Sequence, residues 1–248
     1  MRSFDQVHLT VLLLTIAFYA VTMYAAWKLP RKAQNALFIV GALGCALGVF
    51  WRYAMNMSLS LDAIRWDTLA IQMLQVCNFN MILVLLMLIP KFELARQYSV
   101  MFSMFAAATV MLSIPRRYAE SAWYDPDLMN FWLNHVFAIA LPLWMVAAGR
   151  LKPQKKYIIP VAICVVGYFL VCYGCTEWLH ETGKLAESTT FSYVYDPAGI
   201  PPLVWLHKLI PVPCFYLAPL IIPMIGFFWL LTHLFRNSEA AYIQKKKK

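Results

Sequence analysis

Long apolar stretches alternate with short polar connections along almost the whole chain. Each stretch approaches the roughly 20 residues that a helix needs to cross a bilayer. The pattern predicts an all-α protein, a polytopic transmembrane bundle of about seven helices in a single domain. The predicted spans are 8–27, 35–57, 68–90, 98–114, 127–148, 157–175 and 208–235.

Charge differs between the two sets of connections. Fourteen of the 21 basic residues fall in the connections after spans one, three, five and seven, together with two of the 12 acidic residues. Short cytoplasmic loops retain Lys and Arg, so the asymmetry predicts an N-terminus outside and a C-terminus in the cytoplasm. The terminal lysines 245–248 then form a basic anchor at the inner surface, or a retrieval signal in a eukaryotic cell.

One extracytoplasmic connection, 176–207, is long and rich in aromatic residues and proline. Such a composition argues against a disordered linker, and we expect this loop to fold over the outer mouth of the bundle as a cap. Span seven follows it and is expected to be kinked or broken, because proline interrupts helical hydrogen bonding. Its four prolines are Pro211, Pro213, Pro219 and Pro223.

Composition agrees with the span pattern. The chain is 62% hydrophobic and 13% charged, with a mean hydropathy of +0.62, which excludes an ordinary soluble domain. We expect an integral protein of a bacterial plasma membrane, or of the endoplasmic reticulum or Golgi in a eukaryote. Its partners are then the membrane and its lipids rather than nucleic acid. The six cysteines lie mainly in apolar runs as free thiols, and the sequence predicts no metal site and no cofactor.

Span three is polar in its first half, where it carries Gln72, Gln75, Cys77, Asn78 and Asn80. Hydrocarbon offers amide groups no hydrogen bonds, so these side chains predict a polar pocket or a wet cavity at membrane depth. At 1.5 Å per residue, Cys77 lies roughly 14 Å below the outer surface. His135 of span five lies roughly 12 Å below it, so the two reach one level.

Other polar residues gather at or above this level, in the outer half of the membrane. Ionisable side chains inside a membrane are expensive and usually functional. The candidate catalytic pair is therefore Cys77 and His135, and the candidate supporting or substrate-binding residues are Arg52, Gln72, Gln75, Asn78, Asn130, Asn134, Tyr193, Cys214 and Tyr216, with Tyr53 and Asn56 beside Arg52.

Each candidate also has a structural interpretation. Arg52 either holds a head-group phosphate or extends to the outer interface as an anchor. His135 alone fits an interhelical hydrogen bond, Cys77 alone fits core packing, and buried asparagines join helices in many membrane proteins. Their coincidence at one depth favours chemistry, because an imidazole beside a thiol can take its proton and leave a nucleophilic thiolate. An adjacent asparagine would orient the imidazole or donate to an oxyanion.

Four segments resemble the family of YwaF-type integral membrane proteins, whose animal relatives include transmembrane protein 164, an acyltransferase of ether phospholipids. Ile71 to Leu86 resembles the family's cysteine helix, and Phe131 to Val136 resembles its histidine helix. Phe191 to Pro197 resembles its tyrosine-rich loop, and Val212 to Leu217 resembles its Trp-Pro-Trp-Tyr segment. The resemblance covers most of the chain from about residue 68 onward. It implies that Cys77 and His135 are catalytic.

The chain departs from the family pattern at four positions. Gln75 stands where many members have His, Ser192 replaces the loop Asn, and Val212 and Cys214 replace aromatic residues. The leading hypothesis is a membrane-embedded acyltransferase that moves an acyl chain between lipids through a thioester on Cys77, with phospholipids or other acyl lipids as substrates. A lipid hydrolase with the same pair, and a transporter or lipid-binding protein without catalysis, are the alternatives.

Overall fold

The computed structural model describes residues 4–56, 73–115, 118–184 and 191–235, and for 52–56 it describes the backbone alone. Within those ranges the chain is helical and contains no strand, which confirms the all-α class. The helices are α1 Gln6–Lys28, α2 Arg31–Asn56, α3 Val76–Leu86, α4 Glu93–Tyr98, α5 Met104–Leu112, α6 Pro126–Ala147, α7 Ile158–Glu181, α8 Pro201–Leu209 and α9 Ile221–Leu234. Between them lie a π-helical turn, Ser99–Ser103, and 3₁₀ turns at Lys155–Tyr157 and Phe215–Leu220.

Five helical segments of the described ranges are long and apolar enough to cross a membrane, and α3 is a shorter apolar helix. The protein is therefore an integral membrane protein. The run from α4 through the π-helical turn to α5 covers predicted span four and begins earlier, at Glu93. About seven spans fit this set of helices, whereas the orientation in the membrane stays a prediction.

Helix α6 is the central helix of the bundle. Its most apolar window is 67% buried inside the protein, against 11% for α1, whose outer face exposes Leu13 and Val21 as lipid-facing residues do. Asp125 is the N-cap of α6, because its side chain accepts hydrogen bonds from the backbone amides of Asp127 and Leu128. The central position of α6 places its polar residues inside the protein.

Helix α2 packs closely along α6 through three glycines. A Cβ atom at Gly44 would lie 2.6 Å from the Phe137 ring, and one at Gly48 would lie 3.3 Å from the Asn134 Cα atom. A Cβ at Gly41 would meet the Trp144 ring at 2.8 Å. Small residues at such crossings let two helix backbones approach, which is a common mode of packing in membranes.

Helix α3 begins at Val76, with Gln75 at its N-cap in extended conformation, ψ 117°. The predicted span began at 68, and residues 68–72 lie outside the described part of the chain. The carbonyls of Met73 and Leu74 accept hydrogen bonds from side chains of α7 and of the segment 191–195. Because those carbonyls are bonded by side chains, helical hydrogen bonding starts only after them.

The last predicted span is broken, as its prolines predict. The 3₁₀ turn Phe215–Leu220 precedes α9, and the residue before that turn, Cys214, has a positive φ of 62°. Helix α7 continues past the predicted end of span six to Glu181, and α8 begins within the predicted extracytoplasmic loop and ends two residues beyond it. The cap function of that loop stays a prediction.

Candidate active site

The thiol of Cys77 and the imidazole of His135 are in contact. The Sγ atom lies 3.0 Å from Nε2, which confirms the predicted pairing of these side chains. Cys77 is the second residue of α3, and His135 lies in the middle of α6 with 5% of its surface exposed. The two helices therefore place a thiol and an imidazole together inside the protein.

A backbone carbonyl sets the protonation of the His135 ring. Its Nδ1 atom lies 2.6 Å from the carbonyl oxygen of Phe131, one turn earlier in α6. A carbonyl oxygen only accepts hydrogen bonds, so Nδ1 carries the proton of the neutral ring and donates it. Nε2 then has its lone pair directed at Cys77 and accepts from the thiol. This is the tautomer that a general base requires.

Cys77 also lies in the first turn of α3. The first amide groups of a helix have no partners within the helix, and together with the helix dipole they make its N-terminus electropositive. Thiolates are commonly found at helix N-termini beside a histidine. The start of α3 and the ring of His135 thus act on the same sulfur atom.

Four buried asparagines lie close to Cys77 or His135 along the chain. Asn78 and Asn80 follow Cys77 in α3, and Asn130 and Asn134 precede His135 in α6, all less than one tenth exposed. The Oδ1 atoms of Asn80, Asn130 and Asn134 have no hydrogen-bond partner among the described residues. A buried polar atom without a partner costs about 1–3 kcal/mol and calls for an explanation such as a ligand or a water.

Ser192 holds the start of α3, a role that the sequence alone did not reveal. Its Oγ atom accepts from the backbone amide of Val76 at 2.8 Å and donates to the carbonyl of Leu74. The Tyr168 hydroxyl lies 3.2 Å from Ser192 and donates to Met73 at 3.1 Å. These bonds join α7 and the tyrosine-rich segment to Met73, Leu74 and Val76, just before Cys77. We call this group, Tyr168, Cys172 and Ser192, the clamp.

Cys172 completes the clamp through a contact of its sulfur with the Leu74 carbonyl at 3.4 Å. Tyr168 and Cys172 are four residues apart and therefore lie on one face of α7. Many apolar helices share that spacing, and Cys172 is otherwise marked in the sequence only by its CxxC spacing to Cys175. Ser192 gave a clearer signal, because it stands where the family motif usually has Asn.

Three predicted site residues meet where the segment 191–195 contacts the turn before α9. The Tyr216 hydroxyl donates to the Tyr193 carbonyl, and the Cys214 amide donates to the Val194 carbonyl. Positive φ angles occur at Ser192, Tyr193 and Cys214. This conformation is uncommon for non-glycine residues, and residues that adopt it cluster at functional sites. Tyr193 and Cys214 line an apolar cavity beside α3.

The remaining candidates are placed as follows. Gln75 is half-buried at the N-cap of α3 and makes no side-chain capping bond. Residue 52 belongs to α2, but the Arg52 side chain lies outside the described residues, as do the side chains of Tyr53 and Asn56 and the whole of Gln72. No cluster of metal-ligating side chains occurs in the described ranges.

Comparison with known proteins identifies the family. A model of the TMEM164 family matches residues 3–232, almost the whole chain and both helices of the catalytic pair. No curated protein and no solved structure matches the sequence. The match extends the resemblance seen in the four segments to the first two helices. The chain belongs to the TMEM164 family.

Proposed function

We propose that the protein is a membrane-embedded acyltransferase that moves a fatty acyl chain between lipids through a thioester on Cys77. The observation that carries the proposal is the 3.0 Å contact between Sγ and Nε2, with Nδ1 occupied by the Phe131 carbonyl. A nucleophile, a base within hydrogen-bond reach and a group that orients the base are the three parts of nucleophilic acyl transfer.

The first half of the reaction acylates the enzyme. His135 Nε2 takes the thiol proton, and the thiolate attacks the ester carbonyl of a donor lipid. The tetrahedral intermediate expels the donor's alkoxide, which receives the proton from Nε2 as the carbon–oxygen bond breaks. The products are an acyl-thioester on Cys77 and a donor lipid that has lost one acyl chain. The Phe131 carbonyl stabilises the imidazolium through Nδ1–H during this step.

The second half returns the enzyme to its starting state. The hydroxyl of an acceptor lipid gives its proton to Nε2 and attacks the thioester carbonyl. Collapse of the intermediate forms the new ester and releases the Cys77 thiolate, which recovers the proton from His135. The step needs no metal or redox group, because its bonds and protons balance between the two lipids and the two side chains.

Amides and one arginine fit supporting roles in this scheme. The buried side chains of Asn78, Asn130 and Asn134 can donate to the oxyanion of either intermediate. Arg52 is the proposed partner of a head-group phosphate. In the antiparallel register that sets Gly48 against Asn134, residue 52 lies one turn further along α2, level with Asn130. Gln72 and Gln75 are also proposed to contact the substrate.

Trapping of the acyl-enzyme tests the proposal. The full chain is reconstituted in vesicles with phosphatidylcholine that carries an isotopically labelled acyl chain, and intact and peptide masses are recorded. We expect an acyl group on the peptide that contains Cys77, removable by neutral hydroxylamine as thioesters are. Cys77→Ala should abolish the adduct, whereas Cys164→Ala, which removes another half-buried thiol of the described chain, should leave it unchanged.

Other outcomes separate the alternatives. A labelled adduct that ends as free fatty acid even when a lysophospholipid acceptor is present would assign the protein as a hydrolase. Absence of any adduct on Cys77 while His135 is intact would exclude the covalent mechanism. Solute flux that survives both Cys77→Ser and His135→Ala would instead favour a transporter.

A further inference from the structure

An apolar cavity of about 320 Å³ lies beside the start of α3. Its walls come from α5, α7, the segment 191–195 and the 3₁₀ turn Phe215–Leu220. Val76 forms part of the wall, and Cys77 is the next residue of the helix. Successive helical side chains point about 100° apart, so the cavity begins next to the proposed nucleophile but around the side of the helix.

The chemistry of the wall excludes a polar ligand. Among the described residues that line the cavity, none carries a formal charge. Two of its hydroxyl groups are directed at the protein: Thr109 donates to the Phe105 carbonyl at 2.8 Å, and Ser192 bonds the start of α3. The Cys214 sulfur faces the Phe169 carbonyl at 3.8 Å. What the cavity offers a ligand is aliphatic and aromatic surface.

The cavity opens towards lipid rather than towards water. Leu170 and Phe215 at its rim are 51% and 61% exposed, while Val110 and Met224 in its wall are 7% and 2% exposed. The rim lies on the side of the bundle, between the middle of α7 and the turn that precedes α9. An integral membrane protein has acyl chains against this surface, so a chain can enter sideways from the bilayer.

The size of the cavity fits part of one chain. Its lining residues run from Phe102 to Val110, which is roughly 12 Å of helix at 1.5 Å per residue. An extended alkyl chain advances about 1.3 Å per carbon for bonds of about 1.5 Å, so roughly nine carbons fit along this wall. The volume lies at the lower end of ligand pockets, which suits one chain rather than a whole phospholipid.

We propose that this cavity binds the acyl chain that is transferred, with the ester carbonyl reaching Sγ past Val76. The transfer role rests on the proposed acyltransferase function, whereas chain binding does not. A chain that leaves the bilayer for this cavity exchanges one hydrocarbon environment for another, so hydrophobic burial gains nothing. The shape of the cavity therefore determines which acyl chains it accepts, so it discriminates between chains by their length and not by a gain in binding free energy.

A photoreactive lipid tests chain binding without catalysis. Full-length Cys77→Ala protein is reconstituted with phosphatidylcholine whose 16-carbon chain carries a diazirine near its eighth carbon, irradiated, and mapped by peptide mass spectrometry. Labelling of 102–110 and 214–224 is divided by labelling of lipid-facing Leu13 and Leu14 in α1. We expect cavity residues to be labelled, and Ala106→Phe, which fills the cavity, to lower the ratio about tenfold.

Ala108→Phe is the matched control, because Ala108 lies on the same helix and is half-buried but does not line the cavity. It should leave the ratio unchanged, and Ala106→Leu should give an intermediate value if the larger substitution prevents folding. A map in which the cavity residues are labelled no more than α1 in the unsubstituted background would overturn the proposal. So would cavity labelling that a sterol displaces and a saturated phosphatidylcholine does not.

The two proposals fail separately. Labelled cavity residues in Cys77→Ala protein, together with no acyl adduct on Cys77 in the unsubstituted protein, would retain the chain-binding site and exclude acyl transfer. An adduct on Cys77 with an unlabelled cavity would do the reverse. In active protein, Ala106→Leu is expected to shift transfer about tenfold towards chains of six to eight carbons relative to 16, and Ala108→Leu is not.

Discussion

Two regions of the protein bury amide side chains, and they use them differently. Beyond the C-terminal end of α6, Gln97 is fully buried, and all of its amide is bonded. It donates to the Glu93 carboxylate at 2.7 Å and to the Lys152 carbonyl at 2.8 Å, and it accepts from the Gln154 amide at 3.0 Å. Around His135, the Oδ1 atoms of Asn130 and Asn134 have no partner among the described residues.

We infer that the fully bonded amide of Gln97 is structural and that the asparagines beside His135 serve the site. Gln97 ties α4 to the loop after α6, and its partners are supplied by the protein itself. The asparagines beside His135 retain hydrogen-bonding capacity at a cost of about 1–3 kcal/mol per unpaired group. The unpaired Oδ1 atoms are acceptors, so they can receive a hydrogen bond from a polar substrate group such as an acceptor hydroxyl, whereas the amide nitrogens supply the donors that an oxyanion needs. We therefore expect substitutions in the first region to change stability and those in the second to change rate.

Replacement of His135 by Ala should have the largest effect, a loss of about a thousandfold in the rate of acyl-enzyme formation, because the thiol then lacks its base. The measurement is the rate at which labelled acyl groups appear on Cys77. His8 provides the matched control. It is also fully buried, but its Nδ1 accepts from the Phe4 amide at 2.7 Å and its Nε2 donates to the Met111 carbonyl at 2.8 Å.

Because backbone groups occupy both nitrogens of His8, its replacement by Ala should lower the thermal stability of the protein and leave the rate per folded molecule unchanged. Equal losses of rate in the two variants would remove the distinction between structural and functional histidines in this bundle.

Replacement of Gly44 by Val should reduce the acylation rate about a hundredfold. The new side chain meets Phe137 and separates α2 from α6, and a displacement of about 1 Å at a reacting group is enough for such a loss. A Cβ atom added at Gly167 in α7 would have nothing within 4 Å of it, so Gly167→Val serves as the control. A normal rate in Gly44→Val protein would show that the α2–α6 contact does not position His135.

Replacement of Ser192 by Ala should lower the acylation rate about tenfold, because the start of α3 loses the hydroxyl that bonds Val76 and Leu74. Ser192→Asn should keep most of the rate. Residue 192 has a φ of 50°, a region that Asn tolerates well, and the Asn amide can both accept and donate at this place.

Ser192→Asn restores the residue that the family motif usually has at this position. We expect Ser192→Asn to raise the melting temperature slightly and Ser192→Ala to lower it. A positional role predicts that the Ala variant changes the turnover rate more than the apparent affinity for lipid. A change confined to affinity would contradict it.

Replacement of Gln97 by Ala should have the smallest effect on rate and a clear effect on stability. Three partners lose a buried hydrogen bond, which predicts a destabilisation of about 1–3 kcal/mol. Thermal denaturation in detergent measures the loss, and acylation of Cys77 in the folded fraction should be unchanged. A strong loss of acylation here would show that the fully bonded region is coupled to the site.

Residue patterns predicted more of the fold than of the site. The apolar stretches predicted the helices, and counting residues from the membrane surface predicted that Cys77 and His135 lie at one depth. Both inferences depend on local sequence and on the rise of a helix. The clamp could not be predicted in the same way, because Ser192 bonds Val76 across 116 residues of chain, and nothing in either local sequence specifies the other.

The start of α3 shows the limit most clearly. Apolar composition placed a span from 68 to 90, but the described helix begins at Val76, since side chains from α7 and the 191–195 segment bond the preceding carbonyls. By itself the sequence determined an all-α membrane protein with a thiol and an imidazole at one level. Only the tertiary structure decided that they touch, that Nε2 faces the thiol and that a cavity adjoins it, because hydrogen-bond partners and packing are chosen by residues distant in the chain.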